Sequence, residues 1–445
     1  MRSCNHLRCF ILRAVATCFF CVFAPGQIPG QGDKPTAVTG GTVLTMAGET
    51  IEKGIVLISG GKIAEVGRSV KIPPAAAVID ATGKYVMPGI VDAMTYFGIR
   101  QFDLNDPERP STPENKIIRA YYVFGEFYEG KGGIQPDPEI LSGGVTTVYI
   151  APGDKQVIGG QGAVVKTAGR TFEGLILREP AAIDMALGDP PKRPPAERKS
   201  PSTRMGVATT LRKALLDAQE YERKLQAYEA KSEEDRKKSL PPPRDLGGEA
   251  LLQLLHREIP ARVECDFVDD IRTGLRIAKE FNLDLIIDSG VGAHKVRAEL
   301  AAMKIPVVLG PQTHPYIMGG EVSMTPDLER ESNAYNASLL KEAGVKIALA
   351  SFGFPFGSFG GAVQGKWLLV EAAYLAGFGL SDEEVLRAIT IHPAEILGVA
   401  DRVGSLERGK DADLLILSGY PLNIKSRVEQ VFVDGARVFP REPAP

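Results

Sequence analysis

Tyr85-Val86-Met87-Pro88-Gly89-Ile90-Val91-Asp92-Ala93-Met94-Thr95-Tyr96 separates two differently patterned parts of the chain, and its reading decides the architecture. It reads as the first strand of the central region. Upstream, from Thr36 to about Tyr85, short Val/Ile/Leu runs alternate with glycine turns, as in Ile55-Val56-Leu57-Ile58-Ser59-Gly60-Gly61-Lys62-Ile63. Gly60-Gly61 fits a tight two-residue hairpin, because both central positions of such a turn take positive φ. The far end has the same style, with Asp434-Gly435 set between Val431-Phe432-Val433 and Ala436-Arg437-Val438-Phe439. Neither piece holds enough apolar residues for a core of its own, so the two are expected to pack together as one β-sandwich.

Downstream of the quoted stretch, β-rich runs alternate with helical patterns. The runs are Val145 to Ala151, Ala163 to Lys166, Ala261 to Asp266, Asp284 to Ser289, Pro306 to Pro311 and Val345 to Ser351. The helical stretches are Ile271 to Phe281, His294 to Met303, Asn333 to Ala343 and Asp382 to Ala388. Such alternation predicts βα units on a parallel sheet, and eight of them close a (β/α)8 barrel. The expected α/β organisation is a TIM-like barrel over 86–400, flanked by a composite β-sandwich of 33–85 with 401–441. Within the barrel, 189–248 is bounded by proline clusters and carries Leu211, Leu215, Ala218, Tyr221, Leu225 and Tyr228 at helical spacing. This predicts one long amphipathic helix packing its stripe on the barrel wall, with a lid or partner surface as the alternative.

Composition narrows the function classes. With 44% hydrophobic and 24% charged residues in 445, the chain suits one large barrel and a smaller domain rather than a disordered protein. A formal net charge of -3 supplies no basic face, which excludes nucleic acid as a primary partner. Residues 1–32 have the layout of a secretory signal peptide: Arg2, Arg8 and Arg13, then an apolar run from Ala14 to Ala24, then Pro25-Gly26. The run falls short of the roughly 20 residues of a membrane-spanning helix, so the expectation is an exported periplasmic or extracellular protein with no permanent membrane anchor. Removal of that segment takes Cys4, Cys9, Cys18 and Cys21 with it, leaving Cys265 without a disulfide partner.

Several segments carry a family resemblance. Ala388-Ile389-Thr390-Ile391-His392-Pro393-Ala394-Glu395-Ile396-Leu397-Gly398 is similar to the T-x-N-P-A-x-x-L-G helix of amidohydrolases, and Gly404-Ser405-Leu406-Glu407-Arg408-Gly409-Lys410-Asp411-Ala412-Asp413-Leu414 to their G-S-L-x-x-G-K-x-A-D-L return. Pro88-Gly89, Ile158 to Lys166 and Ile271 to Ala278 also resemble that family, nearest to its imidazolonepropionase-like members. The resemblance implies hydrolysis of carbon–nitrogen bonds other than peptide bonds, by water activated on a metal at the C-terminal mouth of the barrel. In active members, histidines of the first, fifth and sixth strands and an aspartate of the eighth supply the site, often with a bridging lysine or glutamate.

Matched residue by residue, those positions are substituted. Met94 and Tyr96 stand in place of the P-G-x-x-D-x-H-x-H histidines, Glu264 and Asp266 in place of V-H-x-H, Ser289 in place of the sixth-strand ligand, and Phe352 in place of the aspartate. Methionine is a poor ligand for hard divalent ions and phenylalanine is none, so no metal and no other cofactor is expected. A weak divalent site on Glu264 and Asp266, spaced i, i+2 on one strand face, is the exception considered. The remaining catalytic candidates are Lys166 as a bridging lysine, Glu264, Asp266, and His314 at the mouth; His256, His294 and His392 read as structural. Ser289, His314 and Asp288 lack a nucleophile-elbow motif. Phe352 to Gly361 holds four phenylalanines that cap the mouth or expose a patch. The favoured expectation is a catalytically degenerate homologue acting as a binding or assembly partner, for an intact amidohydrolase or for a second copy of itself, with a small-molecule ligand also open. The alternative is an active C–N hydrolase on a rearranged site of Lys166, Glu264, Asp266 and His314.

Overall fold

The computed structural model describes residues 34–99, 112–121, 138–169, 171–193, 200–311, 330–352 and 365–440. Sixteen strands among them form two eight-stranded sheets. From the first part of the chain come β1 (Thr36–Val43), β2 (Ile51–Ser59), β3 (Lys62–Gly67), β4 (Ala77–Asp80) and β5 (Tyr85–Pro88). The barrel strands are β6 (Ile90–Thr95), β7 (Val145–Ile150), β8 (Ile158–Lys166), β9 (Ile176–Ala186), β10 (Ala261–Cys265), β11 (Leu285–Ser289), β12 (Val307–Leu309) and β13 (Ile347–Leu349). The chain returns through β14 (Leu414–Leu417), β15 (Val428–Val433) and β16 (Ala436–Phe439).

The flanking sheet has the order β16-β15-β14-β5-β1-β2-β3, with β4 also on β1. β1 pairs with β4 through Thr36 to Thr39 and with β5 through Thr42 and Val43, so the sheet folds over on itself around Val38, Val56, Ile63, Leu414 and Phe432. Both chain ends build it, as the apolar count required. Gly60 and Gly61 have φ of 58° and 76°, and Asp434 and Gly435 have φ of 48° and 73°, the left-handed pairs that their hairpins need.

The stretch Tyr85 to Tyr96 is two strands, not one. Tyr85–Pro88 belongs to the flanking sheet and Ile90–Thr95 opens the barrel. Gly89 is the joint: its N–H donates to Asp413 O at 3.0 Å, and a side chain there would collide with Thr146.

In the barrel sheet, strands follow in sequence order from β6 to β13. β6 and β7 are parallel, as are β9 to β13, but β8 runs antiparallel to both neighbours. The expected βα strand Ala163 to Lys166 is therefore longer than predicted and reversed. A parallel neighbour needs a crossover of about a dozen residues or more, and the short link between Ile150 and Ile158 can only make a hairpin. A backbone bond from Phe352 N to Met94 O (3.0 Å) and a bond from Ser351 N to the Asp92 side-chain Oδ1 (2.9 Å) join the end of β13 to β6 and draw the barrel closed.

The inserted region holds a helix at Arg204–Glu229, capped by Thr203, whose Oγ1 accepts from Gly206 N at 3.0 Å. Leu211, Leu215, Ala218 and Tyr221 are buried, the first three in the main barrel-wall core, while Leu225 and Tyr228 are half-buried. The stripe is thus covered by its own protein, which answers the lid alternative for that face. Among the described residues, no helix is long and apolar enough to cross a membrane.

Candidate active site

The positions that the family resemblance matches to metal ligands lie at the C-terminal ends of β6, β10 and β11 and just beyond β13. Met94 is buried, 2% exposed, in the barrel-interior cluster with Val91, Tyr149, Val308 and Ala348; Tyr96 and Phe352 pack against the same cluster. The Phe352 ring lies against Gly310 at the end of β12, where an added Cβ would touch it at 3.4 Å. Two of these positions, Ser289 and Phe352, have left-handed φ of 68° and 46°. That conformation is unusual for a non-glycine residue and tends to gather at functional sites.

Burial opposes ionisation of the carboxyls at the mouth. Burial pushes the Glu264 carboxyl well up, with Asp154 and Asp266 adding repulsion. Burial also raises Asp266, against the opposing hydrogen bonds from the Ser289 hydroxyl and the Val291 backbone. Burial, then Glu264, pushes the Tyr96 phenol well above its ordinary value.

Deeper in the barrel is a charge network that the sequence reading missed. Arg262, fully buried on β10, donates from Nε and Nη2 to Asp288 Oδ2 and Oδ1 on β11, at 2.8 and 2.6 Å. Its guanidinium lies 4.0 Å from the Tyr149 ring centroid, and Tyr149 OH donates to Asp184 Oδ2 at 2.6 Å. Burial works against the Arg262 charge, and Asp288 more than offsets it. Burial raises the Asp184 carboxyl to about 8, against the pull of Arg262. A second network closes the barrel seam: Asp92 accepts from Ser351 Oγ at 2.5 Å, and Ser351 Oγ meets Thr95 Oγ1 at 3.1 Å. Burial lifts Asp92 to about 6 against the Ser351 hydrogen bonds.

Lys166 requires a correction. Because β8 is reversed, its end lies opposite the mouth, beside Thr147 at the start of β7. There the fully buried ammonium contacts Asp411 (2.8 Å), Asp413 (3.1 Å) and Asp434 (2.5 Å) of the flanking domain. Burial alone would lower its pKa; the three aspartates together raise it. It is neither a mouth lysine nor a surface charge. His256 pairs with Glu222 at 2.7 Å, His392 Nδ1 meets Ile347 O at 3.2 Å, and His294 lies buried on the short turn after β11 with its N–H on Asn336 Oδ1. His314 and the loop beyond Phe352 lie outside the described residues.

The family's metal does not fit this donor set. At the matched positions stand a thioether, a phenol, two carboxyls, a serine hydroxyl and a phenyl, and among the described residues no three His, Cys, Asp or Glu side chains are grouped to hold an ion. Glu264 and Asp266 alone make too few oxygen ligands for Mg²⁺ or Ca²⁺.

A profile described as the Amidohydrolase family matches residues 284–438. The crystal structure of an amidohydrolase from Thermotoga maritima MSB8 aligns with a TM-score of 0.78 at 33% identity, covering 91% of this chain and 100% of that one. Amidohydrolase tasK of Hapsidospora irregularis is 24% identical over 438 residues, 93% of this chain and 42% of its own length. The chain thus spans less than half of that curated relative. Imidazolonepropionase of Thermoplasma acidophilum is 56% identical over a short segment of 39 residues, 9% of this chain and 10% of its own.

Proposed function

This chain belongs to the amidohydrolase family, and from that premise we propose that it is an exported member whose metal-dependent hydrolysis has been dismantled and whose barrel now serves in binding or assembly. The observation that carries this reading is the fate of the ligand positions: Met94 packs into the apolar interior, and Tyr96 and Phe352 pack against it. Beneath them, the positive charge of the interior belongs to Arg262, already held by Asp288. Export is inferred from the charged and apolar pattern of residues 1–32. The partner is either an amidohydrolase with an intact D-x-H-x-H strand or a second copy of this chain.

Metal analysis of the purified protein tests the reading. It expects no stoichiometric zinc, iron or manganese and no effect of chelators on stability; a near-stoichiometric ion lost together with stability on chelation overturns it. A second reading, an acid–base hydrolase of C–N bonds, is favoured by the raised carboxyls of Glu264 and Asp266, since a general acid must hold its proton near neutral pH. Lys166 has no part in it. Turnover of amides or imides that disappears in Glu264→Gln would establish that reading in place of the first.

A further inference from the structure

The barrel strands are not joined equally. From β6 through to β13, each pair of neighbours is held by a ladder of at least three paired residues. Between β13 and β6, where the sheet must close on itself, the described residues form no ladder.

The two ends of this seam are fastened differently. Away from the mouth, the segment leading into the helix Ile391–Ile396 bridges both strands: Val91 N donates to Ile389 O at 2.9 Å, and His392 Nδ1 donates to Ile347 O at 3.2 Å. Toward the mouth, Ala350 N still donates to Leu309 O of β12 at 3.0 Å, but the next two amides turn to β6. Ser351 N reaches Asp92 Oδ1 and Phe352 N reaches Met94 O. Asp92 also accepts from Met94 N at 3.3 Å, so one carboxyl gathers donors from both edges. Asp92, Thr95 and Ser351 are all buried, which leaves water no part in the join.

A region resting on few hydrogen bonds opens locally before the whole fold does. Phe352 adds to this, because its φ of 46° is unfavourable for a side-chain-bearing residue and is kept only by what surrounds it. Once the Asp92 bonds let go, Phe352 is free to leave that conformation, and its ring leaves the interior cluster that it packs against.

We infer that the barrel opens at the mouth end of the seam between β13 and β6, about a hinge at Ile389 and His392, and that Asp92 is the latch that keeps Phe352 over the interior. Opening uncovers the apolar wall around Met94, Val308 and Ala348 without unpairing a ladder. Entry of a small molecule to that wall is then set by the latch, whether or not the mouth carries out chemistry.

Hydrogen–deuterium exchange of the whole chain at one pH, resolved to single amides, tests this. After correction for intrinsic rates, Ser351 and Phe352 exchange at least about tenfold faster than Val91 at the hinge and Ile287 in β11. Asp92→Ala speeds Ser351 and Phe352 about tenfold more, whereas Asp92→Asn, which keeps an oxygen for the Ser351 N–H, speeds them about threefold or less. Leu215→Ala, which weakens the fold on the inserted helix, speeds Ile287 and leaves Ser351 and Phe352 as they were, because seam opening keeps that helix in place. Three results each overturn the latch: seam amides no faster than Val91 and Ile287, seam amides that speed up in Leu215→Ala, and Asp92→Ala that leaves them unchanged or no faster than Asp92→Asn.

Discussion

Arg262 keeps a full positive charge inside the barrel, and its stability depends on Asp288 being there to meet it. Removing one member of such a pair leaves the other buried and uncompensated. Arg262→Met is therefore expected to cost about 3–5 kcal/mol in urea unfolding, whereas Arg262→Met with Asp288→Leu recovers most of that loss. The neighbouring acids predict a pH dependence. Asp184 is raised from 3.8 to about 8, and Asp92 and Asp413 to about 6, chiefly by burial. The folded form then binds more protons than the unfolded one between the two sets of values, so stability falls as pH rises from about 4 to about 8. The thermal midpoint followed across that range is expected to drop, and Asp184→Asn, which keeps an acceptor for Tyr149, flattens the part between pH 6 and 8. Arg262 and Asp288 were both visible in the sequence, but their pairing was not. It depends on the register that sets Glu264 opposite Asp288, and nothing local to either strand encodes that register. The positions matched to the family's ligands rest on short local motifs, which need no register to be read.

At the scale of elements, local geometry decided what was readable. Gly60-Gly61 and Asp434-Gly435 announce their hairpins because the turn itself requires positive φ. The inserted helix was readable from its stripe, and its energetics follow from the same spacing. Leu215 is 0% exposed and its neighbour Leu216 is 53% exposed. Leu215→Ala is expected to lose about 2–5 kcal/mol of stability in chemical denaturation, and Leu216→Ala about 0.5 kcal/mol or less. Equal losses at the two positions would mean that the stripe is not what holds the helix to the wall. The direction of β8 was not legible from its residues. All nine of its residues are buried, and a strand covered on both faces has the same apolar run whichever way it points. Only the short link from β7 carried the information.

For the whole molecule, Lys166 is the junction between barrel and flanking domain. One ammonium answers three aspartates, and Asp411 is further tied to Lys62 and Arg402. Lys166→Met leaves Asp411 and Asp413 buried beside one another, with an expected loss of about 3–5 kcal/mol in thermal or urea unfolding. A change no larger than that of an exposed lysine such as Lys213→Met would show that the junction does not bind the two parts together. The joining of the two chain ends was legible because neither could bury a core alone; the junction was not, because it follows from the reversal of β8. Asp413 and Asp434 lie 247 and 268 residues after Lys166. The lysine is therefore synthesised long before its counter-ions. A chain cut before Asp411 lacks all three carboxylates that meet Lys166 and is expected to leave that ammonium uncompensated at the base of its barrel.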